Sequence, residues 1–450
     1  MVDFGHSDDP RVQAQLDRLA ALSVPQGRLG LETITALMDR LGNPHRKLPP
    51  VFHVAGTNGK GSTCAFLRAM LEADGKRVHV TTSPHLVRYN ERIRIAGKLI
   101  EDGPLAQLLE EVLDASQDGG EDLAPSFFEV TIAAAFLAFS RTPADACVVE
   151  VGLGGRFDAT NVLEPEALAA CGIAALGLDH ERFLLAPEEG VPTEPMARIA
   201  FEKAGIAKKG VPLVTMGGRY PHEARAAIAD YAERASTRLF EFGQDWAAGF
   251  ERHSDTDWEF YFSQGSTGRF AIPELALGGH HQLENAGLAI SMLLRQDKIS
   301  VSQDALVTGA GKASWPARFQ LLSSGPLTDL AKGRRIIVDG GHNPSAGKAL
   351  AGQLVEPVYL ILGMLANKDP SAIVDAIGGE IWETTIVPVP GHESHTVDAF
   401  HESAKASPNL VKAIKAVPSM QKEENPFDIL IAGSLYLAGE ALRLNDEVPD

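Results

Sequence analysis

Cysteine is scarce in this chain: Cys64, Cys147 and Cys171 are the only three among 450 residues. Each lies in an apolar context and none stands at metal-ligand spacing. There is no disulfide framework, and the expectation is buried thiols in a reducing compartment. Hydrophobic runs are short as well. None approaches the roughly 20 apolar residues that span a bilayer, and the opening MVDFGHSDDP lacks a basic and then apolar leader layout; a cytoplasmic protein without a membrane partner is expected. Excess basic charge is missing too. A net charge of −18 argues against general nucleic-acid affinity, which needs clustered Lys and Arg. Arg88, Arg92 and Arg94 form one short basic stretch, readable as a solvated edge strand or as ligand-facing. Internal repeats and low-complexity tracts are absent.

What is present is an alternation. The hydrophobic fraction of 44% is ordinary for a globular protein, and 450 residues suggest two or three domains. Short β-rich runs at 51–55, 78–82, 146–151 and 172–176 are interleaved with helical stretches at 62–74, 105–115, 128–140 and 196–204. That order predicts an α/β fold, a parallel sheet flanked by helices. Ligands in such sheets bind beyond the carboxyl ends of the strands. Gly59, Lys60, Ser83, His85, Glu150, Asp179 and His180 all fall at such ends. Short runs at 239–242, 258–262 and 269–272 predict a small antiparallel sheet, followed by a helix at 283–294. Small residues gather at 309–315 before Trp315-Pro316, which places a boundary between domains 1–312 and 313–450. Beyond it, strands at 336–338, 358–362, 385–389 and 429–431 alternate with helices from 345, from 370, around 398–406 and from 435. This is a second α/β unit of about 130 residues, an ordinary domain size. Segments 186–195 and 419–426 carry proline and acid and read as surface loops.

The densest signal is VFHVAGTNGKGST, residues 51–63. Strand, glycine-rich turn and amphipathic helix follow one another, with Ala65, Phe66, Ala69, Met70 and Ala73 on one helical face. Such a turn offers an anion the backbone N–H groups and positive end of a helix, and Lys60 adds a full charge. The common P-loop pattern is only partly matched: Val54 stands where its first glycine belongs, and Gly61 separates Lys60 from Ser62. A chance glycine turn is the plain alternative.

Other candidates lie at neighbouring strand ends. Ser83, before Pro84, either ligates Mg²⁺ or caps a turn. Glu150 closes an apolar run, where a carboxylate is costly unless paired or metal-bound; a hard cation or a salt bridge would satisfy it. His180 after Asp179 is a metal ligand or a structural histidine. Lys203, in IAFEKAGI, reads as a surface lysine paired with Glu202, or as an amine that takes up CO₂ as a carbamate. In DGGHNP, Asp339 suits a ribose and His342 a phosphate, unless the string is simply a turn; Arg318 after Trp315-Pro316 suits a phosphate.

Taken in order, HVAGTNGKGS, SPHLVRYNERI, FFEVT, EVGLGGRFDATN, EKAGI, HHQLENA, WPARF, DGGHNP and GSLYLAGE resemble the folylpolyglutamate synthases and the bifunctional dihydrofolate synthase/folylpolyglutamate synthases of the Mur ligase superfamily. The set spans Phe52 to Glu440, and its order is far more specific than any single string. The resemblance implies a P-loop Mur-ligase-like central domain with a small antiparallel sheet, plus a C-terminal Rossmann-like α/β domain. It implies that Gly56, Thr57, Asn58, Gly59, Lys60, Gly61 and Ser62 hold ATP phosphates, and that Asn285, Arg318 and Asp339 complete the nucleotide site. It further implies Ser83, Glu150 and His180 as ligands of Mg²⁺, in a site of two ions, and Lys203 as a carbamylated lysine. His342 would lie near the transferred phosphoryl group and the incoming glutamate; Lys60, His180, Lys203 and His342 form the implied catalytic set. Phe127, Phe128, Asp158 and Ala159 match pterin-holding positions, although either phenylalanine also reads as core.

The implied activity is ATP-dependent addition of L-glutamate to dihydropteroate and to reduced folates through an acyl phosphate, by a monomer. A sister ligase acting on a UDP-linked cell-wall precursor is the alternative, and a non-catalytic nucleotide-binding scaffold a third reading. Four departures from the family pattern stand out, one of them Ala317 in WPAR, where glycine is common. DHERFLLAPEEGVPTEP carries an insertion at 186–195 between His180 and Lys203, glycine fills DGGHNP at 340 and 341, and 323–333 lengthens the path from Arg318 to Asp339.

Overall fold

In a computed structural model, residues 7–21, 30–118, 123–179, 181–252, 258–265, 268–419 and 427–449 are described. The apolar runs of the first two hundred residues become strands buried on both faces, the condition that parallel sheets require. Eight strands form the sheet: β1 (Val51–Ala55), β2 (Val78–Thr81), β3 (Ile93–Ile95), β4 (Lys98–Leu99), β5 (Ala146–Glu150), β6 (Leu168–Ile173), β7 (Pro212–Thr215) and β8 (Arg238–Glu241). Their order is β4-β3-β2-β5-β1-β6-β7-β8. β2, β5, β1, β6, β7 and β8 run parallel, while β3 and β4 turn back antiparallel at one edge. β5 and β6 flank β1, so the turn after β1 opens where successive connections leave in opposite directions, the usual place for a ligand crevice.

Two expectations need correction in this unit. The run at 239–242 does not join the small sheet; as β8 it closes the large one, parallel to β7, after the helix His222–Arg234. A crossover helix returning a strand beside its predecessor is a long-range pairing that local pattern does not reveal. The strand placed at 172–176 occupies Leu168–Ile173, because its ladder with β1 begins at Leu168. The small antiparallel sheet exists, built from β9 (Ala247–Arg252), β10 (Trp258–Gln264) and β11 (Gly268–Ile272). It packs on the helix His280–Arg295 at Gly287, where an added Cβ would lie 2.7 Å from the Ala248 Cβ.

The second compact unit comprises residues 86–88, 277–280 and 315–450. Its six strands are β12 (Gln320–Leu321), β13 (Ile336–Val338), β14 (Val358–Leu362), β15 (Ile381–Ile386), β16 (Lys405–Ala406) and β17 (Ile429–Ala432), in the order β12-β13-β17-β14-β15-β16. All pairings are parallel except β12 with β13. Alternate residues feed two cores: Ile336, Val338, Tyr359, Ile361, Ile429 and Ile431 on one face, Ile337, Val358, Leu360, Leu362 and Leu430 on the other. The α/β class expected from the alternation is therefore the observed one. The helix expected around 398–406 is instead a short 3₁₀ turn, Val397–Ala399, and β16; the one from 370 forms only at Val374–Ile377, stopped by Gly378 at φ +57°. Among the described residues no helix is long and apolar enough to cross a membrane.

Two helices of the first unit meet in a very close contact. Gly309, in Gln303–Ala310, faces the helix Lys60–Ala73 so tightly that an added Cβ would overlap the Met70 Cα and N. Gly309→Ala should destabilise the protein by about 1–3 kcal/mol, as overpacking against backbone does; a denaturant midpoint equal to wild type would contradict that packing.

Candidate active site

The turn after β1 is shaped by two glycines in backbone conformations that other residues avoid, Gly56 at φ +152° and Gly59 at φ +80°. Thr57 and Asn58 donate their N–H groups to the Ala175 carbonyl at 2.8 and 3.1 Å, and the Thr57 hydroxyl donates to Gly177 at 2.9 Å. The turn is thereby stapled to the segment leaving β6. Gly59 caps the helix Lys60–Ala73, whose first-turn N–H groups lack intrahelical acceptors and carry the positive end of its dipole. Ser62 and Thr63 are buried in that turn. Asn285 is buried too, and an added Cβ on Gly59 would overlap its Oδ1. This is the geometry of an anion cradle.

Three charged side chains converge beside it. Lys60 Nζ donates to the Gly56 carbonyl at 3.2 Å and stands 4.0 Å from Glu150 Oε1. Glu150, at the end of β5, accepts the Ser83 N–H at 3.3 Å through its other oxygen. Lys203 Nζ donates to the same Gly56 carbonyl at 3.0 Å. Lys203 is therefore not the exposed partner of Glu202; it is buried, and Glu202 pairs with Arg156 and Arg198. Burial, followed by the nearby Lys60 charge, pushes the Lys203 amine down to about 7, against the opposing pull of Asp179, Asp158 and Glu202.

Glu150 and the Ser83 hydroxyl are hard oxygen donors of the kind Mg²⁺ takes. Among the described residues no three His, Cys, Asp or Glu side chains form a metal-binding group. His180, the third expected ligand, lies outside the described residues.

Phe127 and Phe128 begin the helix Phe127–Arg141, capped by a Ser126–Glu129 capping box. Both are half-buried. Phe127 meets Tyr89 edge-on at 5.7 Å and lies under the Arg92 guanidinium at 5.3 Å, while the Phe128 ring sits over Gly152, 2.5 Å from where a Cβ would be. Asp158 is buried and holds a dense set of hydrogen bonds: Leu153 N–H at 2.8 Å, Thr160 N–H at 3.0 Å and the Thr160 hydroxyl at 2.5 Å. Burial raises its pKa, and those donors oppose the shift. Thr160 is joined in turn to His53 Nε2 at 2.8 Å, and the burial of His53 pushes its ring down to about 3. Ala159 opens the 3₁₀ turn Ala159–Val162. Sequence reasoning overlooked His53 and Thr160, although both lie inside the motifs HVAGTNGKGS and DATN.

In the second unit, the turn after β13 gathers its own candidates. Asp339 accepts the Phe319 N–H at 2.8 Å and the Gly341 N–H at 2.7 Å, so its carboxylate ties two turns together. Arg318 Nη1 would be 3.0 Å from a Cβ on Gly340, and His342 Nδ1 meets the Gly340 carbonyl at 3.0 Å. Tyr436, from GSLYLAGE, stacks on His392 with ring centres 3.8 Å apart.

No family model matches the chain. Individual relatives do. A folylpolyglutamate synthase of Lacticaseibacillus casei is 31% identical over 428 residues, 90% of this chain and 92% of that protein. The dihydrofolate synthase/folylpolyglutamate synthase of Escherichia coli is 30% identical over 426 residues, 93% of this chain and 92% of that protein. A probable bifunctional folylpolyglutamate synthase/dihydropteroate synthase of Halobacterium salinarum is 32% identical over 423 residues; the match covers 92% of this chain but 49% of that longer protein. Among solved structures, E. coli FolC in complex with DHPP and ADP superposes with a TM-score of 0.81 at 29% identity, over 97% of both chains. A bifunctional synthase with Mn, AMPPNP and L-glutamate bound gives 0.78 at 27% identity, over 96% of this chain and 97% of that one.

Fold and cradle together define a nucleotide-dependent α/β ligase of Mur-ligase-like build. The chain belongs to the folylpolyglutamate synthase/dihydrofolate synthase family.

Gly59→Ala tests the cradle. The strained φ alone costs about 1–2 kcal/mol, and overlap with Asn285 adds to it, so ATP affinity should fall about tenfold or more by titration calorimetry. Unchanged affinity would remove the turn from nucleotide binding.

Proposed function

We propose that this chain joins the amino group of L-glutamate to the carboxylate of dihydropteroate, and then to the carboxylates of reduced folates, releasing ADP and phosphate. One observation carries the reading: Lys60 and Lys203 both donate to the Gly56 carbonyl, with Glu150 beside Lys60, at the mouth of a helix N-terminus. The relatives' names and bound molecules favour a folate acceptor over a UDP-linked one.

A carboxylate is a poor acyl donor because its leaving group would be oxide. Attack of the acceptor carboxylate oxygen on the γ-phosphorus breaks the bond to ADP and makes an acyl phosphate. The free-base amine of glutamate then attacks the carbonyl carbon, the C–O bond to phosphate breaks, and an amide remains. Lys60 and the helix N-terminus are the groups of this chain suited to the charge that builds on the phosphoryl oxygens. Glu150, Ser83 and His180 would hold divalent metal, which when bound supplies further neutralisation of phosphate charge. Asn285 supports the cradle; in the second unit the resemblance assigns Arg318 and Asp339 to the nucleotide and His342 to the phosphoryl and glutamate end. Half-buried aromatic faces at Phe127 and Phe128, with Asp158 and Ala159 on the connection after β5, suit a flat pterin ring. The working form is read, from the resemblance, as a cytoplasmic monomer acting on small molecules, and the net charge of −18 speaks against a nucleic-acid partner.

Product analysis with ATP, L-glutamate and either dihydropteroate or tetrahydrofolate tests the activity. Multiple turnovers to ADP should require acceptor and glutamate together, and Lys60→Ala should lower kcat by about 10²–10³-fold. No turnover with any pteridine acceptor, or turnover with a UDP-linked one instead, would overturn the reading.

The lowered Lys203 amine supports a carbamate. Below about 7 the amine is protonated and inert; above it the free base attacks CO₂ and releases a proton. With ¹³C-bicarbonate, a carbamate resonance should grow between about pH 6 and 8 and be missing from Lys203→Arg. Absence of the resonance across that range would leave Lys203 a plain cation.

A further inference from the structure

The inserted segment 186–195 is exposed along most of its length, yet Glu188 turns inward. Its carboxylate accepts two hydrogen bonds from Arg156, at 3.1 and 2.5 Å, and one from Arg198 at 3.0 Å. Arg156 also binds Glu202 at 2.8 Å, and Arg198 binds Glu202 at 3.1 Å. Four charges therefore alternate in a closed ring, with side-chain exposures of 16% for Arg156, 20% for Glu188 and 6% for Arg198 and Glu202. Remove Glu188 and two guanidiniums with little access to water share one carboxylate, an uncompensated buried charge.

The ring joins three pieces of chain. Arg156 lies on the loop that follows Glu150. Arg198 and Glu202 lie on the helix Pro195–Ala204, whose next residue after Glu202 is Lys203. Glu188 belongs to the insertion, which is anchored further by the Arg198 Nε bond to the Leu184 carbonyl at 3.0 Å and by Leu184 against Gly154. Loop and helix already touch backbone to backbone: the Arg156 N–H donates to the Glu202 carbonyl at 2.8 Å, and an added Cβ on Gly205 would overlap the Arg156 Cα. Asn161 Nδ2 also bridges the Arg156 and Gly205 carbonyls, at 2.9 and 3.1 Å, and the ring adds to these backbone ties the side-chain link that reaches the insertion.

We propose that Glu188 is a positioning residue for the ligation: it locks the 152–158 loop to the Lys203 helix and so holds the Lys203 amine at the Gly56 carbonyl beside the phosphate cradle. This rests on the reading that Lys203 serves phosphoryl transfer. A displacement near 1 Å at such a site costs about 10²-fold in rate.

Glu188→Ala should lower kcat about tenfold to hundredfold, with KM for ATP within about twofold of wild type, and native-state amine labelling of Lys203, read by mass spectrometry, should speed severalfold. Glu188→Gln, which keeps the shape but not the charge, should fall between the two in both measurements, and it replaces the alanine variant should that one not fold. A variant with wild-type kcat and wild-type labelling of Lys203 overturns the proposal, whatever its melting temperature, because a purely structural role would move melting alone. Lys203→Ala separates the two ideas: full activity in that variant would sink the role of Lys203, whereas the labelling rate reports on Glu188 independently.

Discussion

Two lysines share one backbone oxygen. Lys60 and Lys203 both donate to the Gly56 carbonyl, within a turn that also sits on the positive end of a helix. Such a concentration of positive charge in a buried place is unfavourable unless something answers it. Glu150 answers part of it at 4.0 Å from Lys60, and Lys203 answers another part by giving up its proton readily. What remains suits polyphosphate, and the rest of the unit can be understood as keeping this arrangement from relaxing.

That work falls to close backbone packing and to buried polar chains. Gly59 lets the turn approach Asn285, Gly155 and Gly205 let the loop after β5 lie on the Lys203 helix, and Gly309 brings a second helix onto the back of the helix Lys60–Ala73. Behind the proposed pterin loop, His53 donates from its neutral ring toward Thr160, whose hydroxyl in turn donates to Asp158. Asp158 thereby keeps acceptors occupied in an apolar setting that would otherwise favour its protonation. Rigid groups already aimed at the place where charge develops need little reorganisation during reaction.

Much of the candidate site is legible in the amino-acid sequence, because its signals are local. A glycine turn with one lysine between a strand and a helix needs few residues to specify, and Glu150 stands out as a carboxylate at the end of an apolar run. The edges of the sheets are harder. Residues 239–242 carry the same alternation whether they join a three-stranded appendage or close the main sheet, and only pairing with β7 decides between them. Residues 398–406 look helical by composition but make a turn and a two-residue strand, since β15 offers them a ladder. Lys203 reads as a surface residue in sequence because burial is a property of what packs around a helix, not of the helix itself.

Chain order alone therefore determined the α/β class, the glycine-rich turn and the ordered strings that mark the family, since each is written in contiguous residues whose backbone and side-chain preferences act over a few positions. Tertiary structure alone decided which charges meet. Glu188 and Arg156 are distant in sequence and share no local pattern, and so are Lys203 and Gly56. Electrostatic pairing and burial depend on separation in space, and that is settled only when the sheet brings its strand ends and loops together.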